Sequence, residues 1–230
     1  MVTKVITEDL MDFSQPLQAV IPSLEGEVIT VLARTTRPLT GRQIAGLTMS
    51  GSLSGVRLTL RRLESQGVVL AESAGRAVLY RANREHLLWE AVEELARRAE
   101  SALATLKIRI ADVFTASLNP EQLAETSVAM FGSVARGTSN AKSDIDLVVV
   151  YPDSLEPELG QTVVDTLVER VSLWTGNRCN VYVTTLTLLE RLVTEQDPMI
   201  ESWADDAQTF LGADLRLLLL VKPQSRVTRG

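Results

Sequence analysis

Phe131-Gly132-Ser133-Val134-Ala135-Arg136-Gly137 and, after a polar stretch, Ser143-Asp144-Ile145-Asp146-Leu147-Val148-Val149-Val150 decide how the second half of this chain reads. Thr126 to Phe131 has the make-up of a short strand, and Asp144 to Tyr151 that of a buried strand ended by Pro152. Gly132 permits close backbone approach, and Ser133 offers a hydroxyl and a backbone N–H near the start of a short helix, a cradle for phosphate. Side chains alternate along a strand, so Asp144 and Asp146 share one face. Two carboxylates so placed repel each other unless a cation sits between them. Mg²⁺ takes oxygen ligands and keeps room for phosphate oxygens. The parts together bring a metal-bound nucleoside triphosphate beside a nucleophile, as phosphoryl transfer requires.

Working outward, Asn119-Pro120-Glu121-Gln122 is a helix start that opens this half. Leu159 to Trp174 has amphipathic helical spacing and ends at Thr175-Gly176-Asn177. Arg178 to Val183 reads as a strand, with Cys179, Val181 and Val183 toward the core and Arg178, Asn180 and Tyr182 toward the site. Thr187-Leu188-Leu189-Glu190 has the form of a capping box, Asp197-Pro198 starts another helix, and Asp205 to Gly212 closes the domain with a short strand. Trp174, Trp203 and Phe210 read as core, and residues 222–230 as a polar, frayed tail.

Gly132-Ser133, ten residues, then Asp144-x-Asp146 closely resembles the signature of the minimal nucleotidyltransferases in the DNA polymerase β superfamily. The resemblance implies that Gly132 and Ser133 bind a triphosphate, with ATP the foremost substrate or ligand. It implies that Asp144 and Asp146 bind Mg²⁺, and that Arg136 contacts phosphate or holds the loop. It also implies a third carboxylate on a neighbouring strand, which helps hold the catalytic metal and activates the attacking hydroxyl. Here that position falls at Asn180, a neutral residue that cannot act as a base.

The net charge of −6 conceals an asymmetry. Residues 34–84 hold nine Arg against Glu64 and Glu72, a net of +7. A basic block inside an acidic chain points to a polyanion-binding surface. Leu24 to Ala33 has helical spacing, and Thr40-Gly41-Arg42-Gln43 has the form of a capping box opening a short helix. Ser50-Gly51-Ser52 is a turn, and an amphipathic helix follows from about Leu53 to Gln66, terminated by Gly67. Val68 to Glu72 and Ala77 to Ala82 read as a hairpin turning at Gly75-Arg76. This order resembles the winged helix-turn-helix of bacterial regulators. The resemblance implies that Arg42, Arg57, Arg61, Arg62 and Arg76 meet double-stranded DNA, with the helix near 52–66 in the major groove.

Asn83 reads as the N-cap of a long helix, whose apolar stripe runs from Leu87 to Ile110 and continues to about Ser117. The expected plan is therefore mixed α+β: a winged helix-turn-helix over 1–85, a linker helix over 86–118 and a polymerase β-type nucleotidyltransferase domain over 119–230. A homodimer follows from the habit of such regulators of reading two half-sites. One cysteine, Cys179, excludes a disulfide framework and suits a reducing cytoplasm. Nothing resembles a signal peptide or a membrane span. His86 is the single histidine, so no His-based metal site is expected.

Two functions fit. One is transfer of a nucleoside monophosphate, AMP foremost, to a protein or RNA acceptor, such as a toxin-like partner protein. The other is a transcriptional regulator whose nucleotidyltransferase domain is inactive or only senses nucleotide. A nucleic-acid polymerising enzyme ranks last, because the chain lacks a further basic substrate domain.

Overall fold

The computed structural model describes residues 10–220. The expected frayed tail and the first few residues lie outside them. The fold is mixed α+β, as the sequence implies. Two compact units divide the chain: residues 15–102, and residues 103–220 together with the segment 10–14.

The first unit begins with a 3₁₀ turn over Pro16–Ala19 and α1 (Leu24–Ala33). A two-residue strand β1 (Leu39–Thr40) leads into α2 (Gly41–Leu47). Thr40 caps α2 in a full capping box with Gln43. Ser52 caps α3 (Leu53–Ser65), and Gly67 follows at φ +74°. The strands β2 (Val69–Ala74) and β3 (Ala77–Ala82) form an antiparallel hairpin, and β1 adds to β3 as a third strand that sequence spacing does not reveal. Its core gathers Val28, Leu32, Ile44, Val56, Leu60 and Leu63 from the three helices.

The expected linker helix over 86–118 is not continuous. Residues 84–88 form turns, α4 runs Trp89–Glu100, and α5 runs Ala102–Ser117 after a break at Ser101. Asn83 does not cap a helix. Its amide donates to the Gly67 carbonyl at 2.8 Å, and its Oδ1 accepts from Glu85 N. An Asn side chain competes with helix hydrogen bonds in this way, which delays the helix by several residues.

The second unit continues with α6 (Pro120–Glu125), β4 (Ser127–Phe131), α7 (Gly132–Ala135), β5 (Ile145–Tyr151) and α8 (Pro157–Thr175). It closes with β6 (Cys179–Thr185), α9 (Leu186–Thr194), α10 (Pro198–Asp206), β7 (Gln208–Leu211) and α11 (Leu215–Leu220). The sheet order is β6-β5-β4-β7, parallel between β5 and β6 and antiparallel elsewhere. Both faces are covered. Ile145, Leu147, Val149 and Tyr151 meet Ile110, Phe114, Val163 and Leu167 on one side. Val148, Val150 and Phe131 meet Leu189, Trp203 and Leu215 on the other.

Two local departures occur at β6 and α9, and the second cover explains the first. Val183, expected in the core, is 48% exposed on the edge strand, while Thr184 is 3% exposed. Thr184 pairs in register with Val150 and so lies on the face that Leu189 covers. Thr187 does not cap α9. Thr185 does so by accepting from Leu188 N, and the Thr187 hydroxyl donates to Asp153 at 2.8 Å.

Candidate nucleotide site and candidate nucleic-acid face

β4 ends and α7 begins at a backbone that only glycine supports cheaply. Gly132 has φ +77°, and a Cβ there would meet Asp146 Oδ2 at 2.6 Å. The Gly-Ser turn thus sits directly against a carboxylate of the Asp-x-Asp pair. The turn closes on itself through Arg136 N to Gly132 O at 3.1 Å and Thr138 N to Ser133 O at 3.0 Å. Asp144 lies just ahead of β5 and Asp146 within it, opposite Phe131 of β4. Both are half-buried.

Parallel pairing sets Asn180 of β6 opposite Asp146. Its Nδ2 donates to Asp146 Oδ1 at 2.9 Å and makes a longer contact of 3.4 Å to Asp144 Oδ2. The nitrogen side of the amide faces the carboxylates because its carbonyl oxygen would be repelled there. The three residues read together from sequence, Asp144, Asp146 and Asn180, therefore converge with Gly132. Arg136 does not point at them: it forms an ion pair with Asp206 of α10 and so anchors the turn. Neither the Arg136–Asp206 ion pair nor the bonds from Asn177 to Met11 and Ser143 carry a local sequence signal. Each joins residues far apart in the chain.

The donor set fits one hard cation. Two carboxylates and an amide oxygen, once Asn180 turns, leave positions for water and phosphate, the usual manner of holding Mg²⁺. Among the described residues no group of three His, Cys, Asp or Glu converges as a metal site. Asp165, on α8, accepts a hydrogen bond from Gln161. Behind the site, burial first, and then the Asp146 charge, push the Cys179 thiol up to about 12.

In the first unit, Arg42, Arg57, Arg61, Arg62 and Arg76 are all exposed. Ser54, Arg57, Leu58 and Arg61 follow helical spacing and share one face of α3. Leu58 is 65% exposed there. Arg62 lies off that face and bonds Glu25 at 3.0 Å. The Ser23 side chain, with help from Arg62, holds the Glu25 carboxyl below its usual range. Arg76 sits in the hairpin turn beside Gly75 at φ +62°. The turn between α2 and α3 is fixed by buried Glu27, which accepts from Met49 N at 2.7 Å, from Ser50 N at 3.1 Å and from the Ser50 hydroxyl.

The nucleotidyltransferase domain family model matches residues 115–190, which contain Gly132, Ser133, Asp144, Asp146 and Asn180. No curated protein matches the chain in sequence. Among solved structures, a toxin–antitoxin complex crystallised with AMP-PNP aligns at 16% identity and TM-score 0.32, covering 49% of this chain and 80% of that one. An archaeal chromatin protein, TrmBL2, aligns at 16% identity and TM-score 0.27, covering 84% of this chain and 73% of that one. Among the described residues, no helix is long and apolar enough to cross a membrane.

Proposed function

We propose that this is a DNA-binding protein whose nucleotidyltransferase domain takes up a Mg²⁺-bound nucleoside triphosphate, ATP foremost, as a signal rather than as a fast-consumed substrate. The observation that carries this reading is the Asn180 amide donating to Asp146 and reaching Asp144. A carboxylate in its place would hold a second metal and accept the proton of an attacking hydroxyl. A neutral amide does neither at ordinary pH. Mg²⁺ bound here would neutralise the triphosphate and orient it. Asp144 and Asp146 would supply two of its oxygens. Gly132 would let phosphate approach the backbone, Ser133 would donate to it, and Arg136 would keep the turn seated on Asp206.

The first unit supports the DNA half of the proposal. Its order of helix, short strand, helix, turn, helix and hairpin resembles that of a winged helix-turn-helix, in which α3 would be the reading helix. Arg57 and Arg61 would meet phosphate or guanine edges, Arg42 and Arg76 would meet flanking backbone, and Arg62 would join once freed from Glu25. We read the protein as a cytoplasmic homodimeric transcription regulator.

A second reading is transfer of AMP or another nucleoside monophosphate to a protein or RNA hydroxyl, for instance on a toxin-like partner. It is favoured by the intact Gly132-Ser133 and Asp144-x-Asp146 halves. One experiment separates the two. The protein is incubated with Mg²⁺ and each labelled nucleoside triphosphate, with and without cell extract, beside an Asp144→Ala/Asp146→Ala control. Mg²⁺-dependent binding without transfer, lost in the control, is expected. Transfer abolished by the control would establish the enzyme, and the labelled species would name the acceptor.

A further inference from the structure

We infer that nucleotide at Gly132-Ser133 and Asp144/Asp146 and DNA on the unit 15–102 are thermodynamically coupled through the two chain segments that enter and leave that unit. The inference rests on the functional reading above and names how its site is regulated.

The chain enters the unit from residues 10–14, and these belong with the nucleotidyltransferase core. Leu10 N donates to the Ala141 carbonyl at 2.6 Å. The Ser139 hydroxyl donates to Asp12 Oδ1 at 3.1 Å, and Phe13 packs against the core below. Ser139 and Ala141 lie in the loop that joins Ser133 to Asp144. Asn177, 0% exposed, completes the connection. Its Nδ2 donates to Met11 O at 3.0 Å and to Ser143 O at 2.9 Å. Ser143 immediately precedes Asp144, and Asn177 stands three residues before Asn180. One buried amide therefore ties the entering segment to both strands that carry the metal donors. Asn177 is a positioning residue for them.

The chain leaves the unit along α5. Lys107 Nζ donates to Gln208 Oε1 at 2.8 Å. Gln208 Nε2 in turn donates to the Ala135 carbonyl, in the turn whose next residue, Arg136, is clamped by Asp206. The entering segment thus holds the Asp144 end of the 132–146 loop, and the leaving helix holds its Gly132 end. A ligand that fixes the loop fixes both tethers. DNA that favours one placement of the tethers biases the loop by the same free energy, because linkage between two binding sites is reciprocal.

The test uses the full-length chain and a fluorescent duplex that the chain itself has selected from a random pool. Anisotropy gives DNA affinity in Mg²⁺ with and without AMP-PNP, and calorimetry gives AMP-PNP affinity with and without the duplex. In the wild type AMP-PNP is expected to shift DNA affinity about fivefold or more, and DNA to shift AMP-PNP affinity by the same factor. Asp12→Ala/Phe13→Ala at one tether and, separately, Gln208→Leu at the other are each expected to reduce that factor while still binding each ligand alone. Hydrogen exchange over 132–146 is expected to rise in both variants. Both ligands binding the wild type with no mutual effect would overturn the coupling alone, as would a factor that survives both variants. A wild type that binds either no nucleotide or no DNA overturns the functional reading and the coupling with it.

Discussion

With Asn180 Nδ2 at 2.9 Å from Asp146 Oδ1, the carboxylate pair is held by a neutral donor. Asn180→Asp removes that donor and adds a like charge. In Mg²⁺-free buffer the variant is expected to lose roughly 1–2 kcal/mol. Millimolar Mg²⁺ should restore it through preferential binding to the folded state. Thermal scans with and without Mg²⁺ check this, and a variant indifferent to Mg²⁺ would show that the three side chains do not form a cation site. Gly132 is the other sensitive position. Gly132→Ala must accept φ +77° and place its methyl against Asp146 Oδ2. The expected cost is about 1–3 kcal/mol in stability, with loss of Mg²⁺-dependent nucleotide binding. Retention of wild-type nucleotide affinity would place the triphosphate elsewhere.

Within α3, Arg57, Leu58 and Arg61 share one face, and the proposed DNA-binding role gives the arginines and the leucine different expected signatures. Arg57→Ala and Arg61→Ala should each weaken DNA binding, and each should reduce the slope of log affinity against log salt by about 1 if the contact is to phosphate. A change confined to one sequence position instead would mark a guanine contact. Leu58, apolar and 65% exposed between these arginines, suits the methyl group of a thymine. Replacing thymines in the selected duplex by deoxyuridine, one at a time, should weaken the wild type at one position and leave Leu58→Ala unaffected there. Glu27 supports the face from behind by gripping Met49 and Ser50. Its loss should lower both stability and DNA affinity, because it frees the turn that sets the angle of α3.

For the molecule as a whole, alkaline pH is the revealing variable. The single thiol, on Cys179, has its ionisation raised from 9.0 to about 12 by burial, and burial raises that of Tyr151 as well. Between pH 9 and 12 the unfolded chain releases the thiol proton while the folded chain keeps it. Stability contributed by the buried thiol is therefore complete below pH 9 and lost as pH rises toward 12. The slope approaches about −1.4 kcal/mol per pH unit for each such group. Denaturant unfolding from pH 8 to 11 reads it out, and a flat profile would contradict the burial of Cys179. Thiol labelling at pH 8 should likewise be slow until the protein unfolds.

What the sequence determined by itself is whatever depends on neighbours a few residues apart. The capping box at Thr40 and the helix start at Asn119, the terminator at Gly67, the hairpin turning at Gly75 and the motif from Gly132 to Asp146 are of this kind. Backbone conformation and side-chain alternation decide each of them locally. Only the tertiary structure decided that Arg136 seats on Asp206 and that Thr184 rather than Val183 is buried. It alone placed Asn177 between Met11 and Ser143. These depend on partners tens of residues away, brought close by strand order and by a sheet covered on both faces. No period or spacing in the chain encodes such a meeting, because its free energy exists only once the sheet and its covering helices have formed.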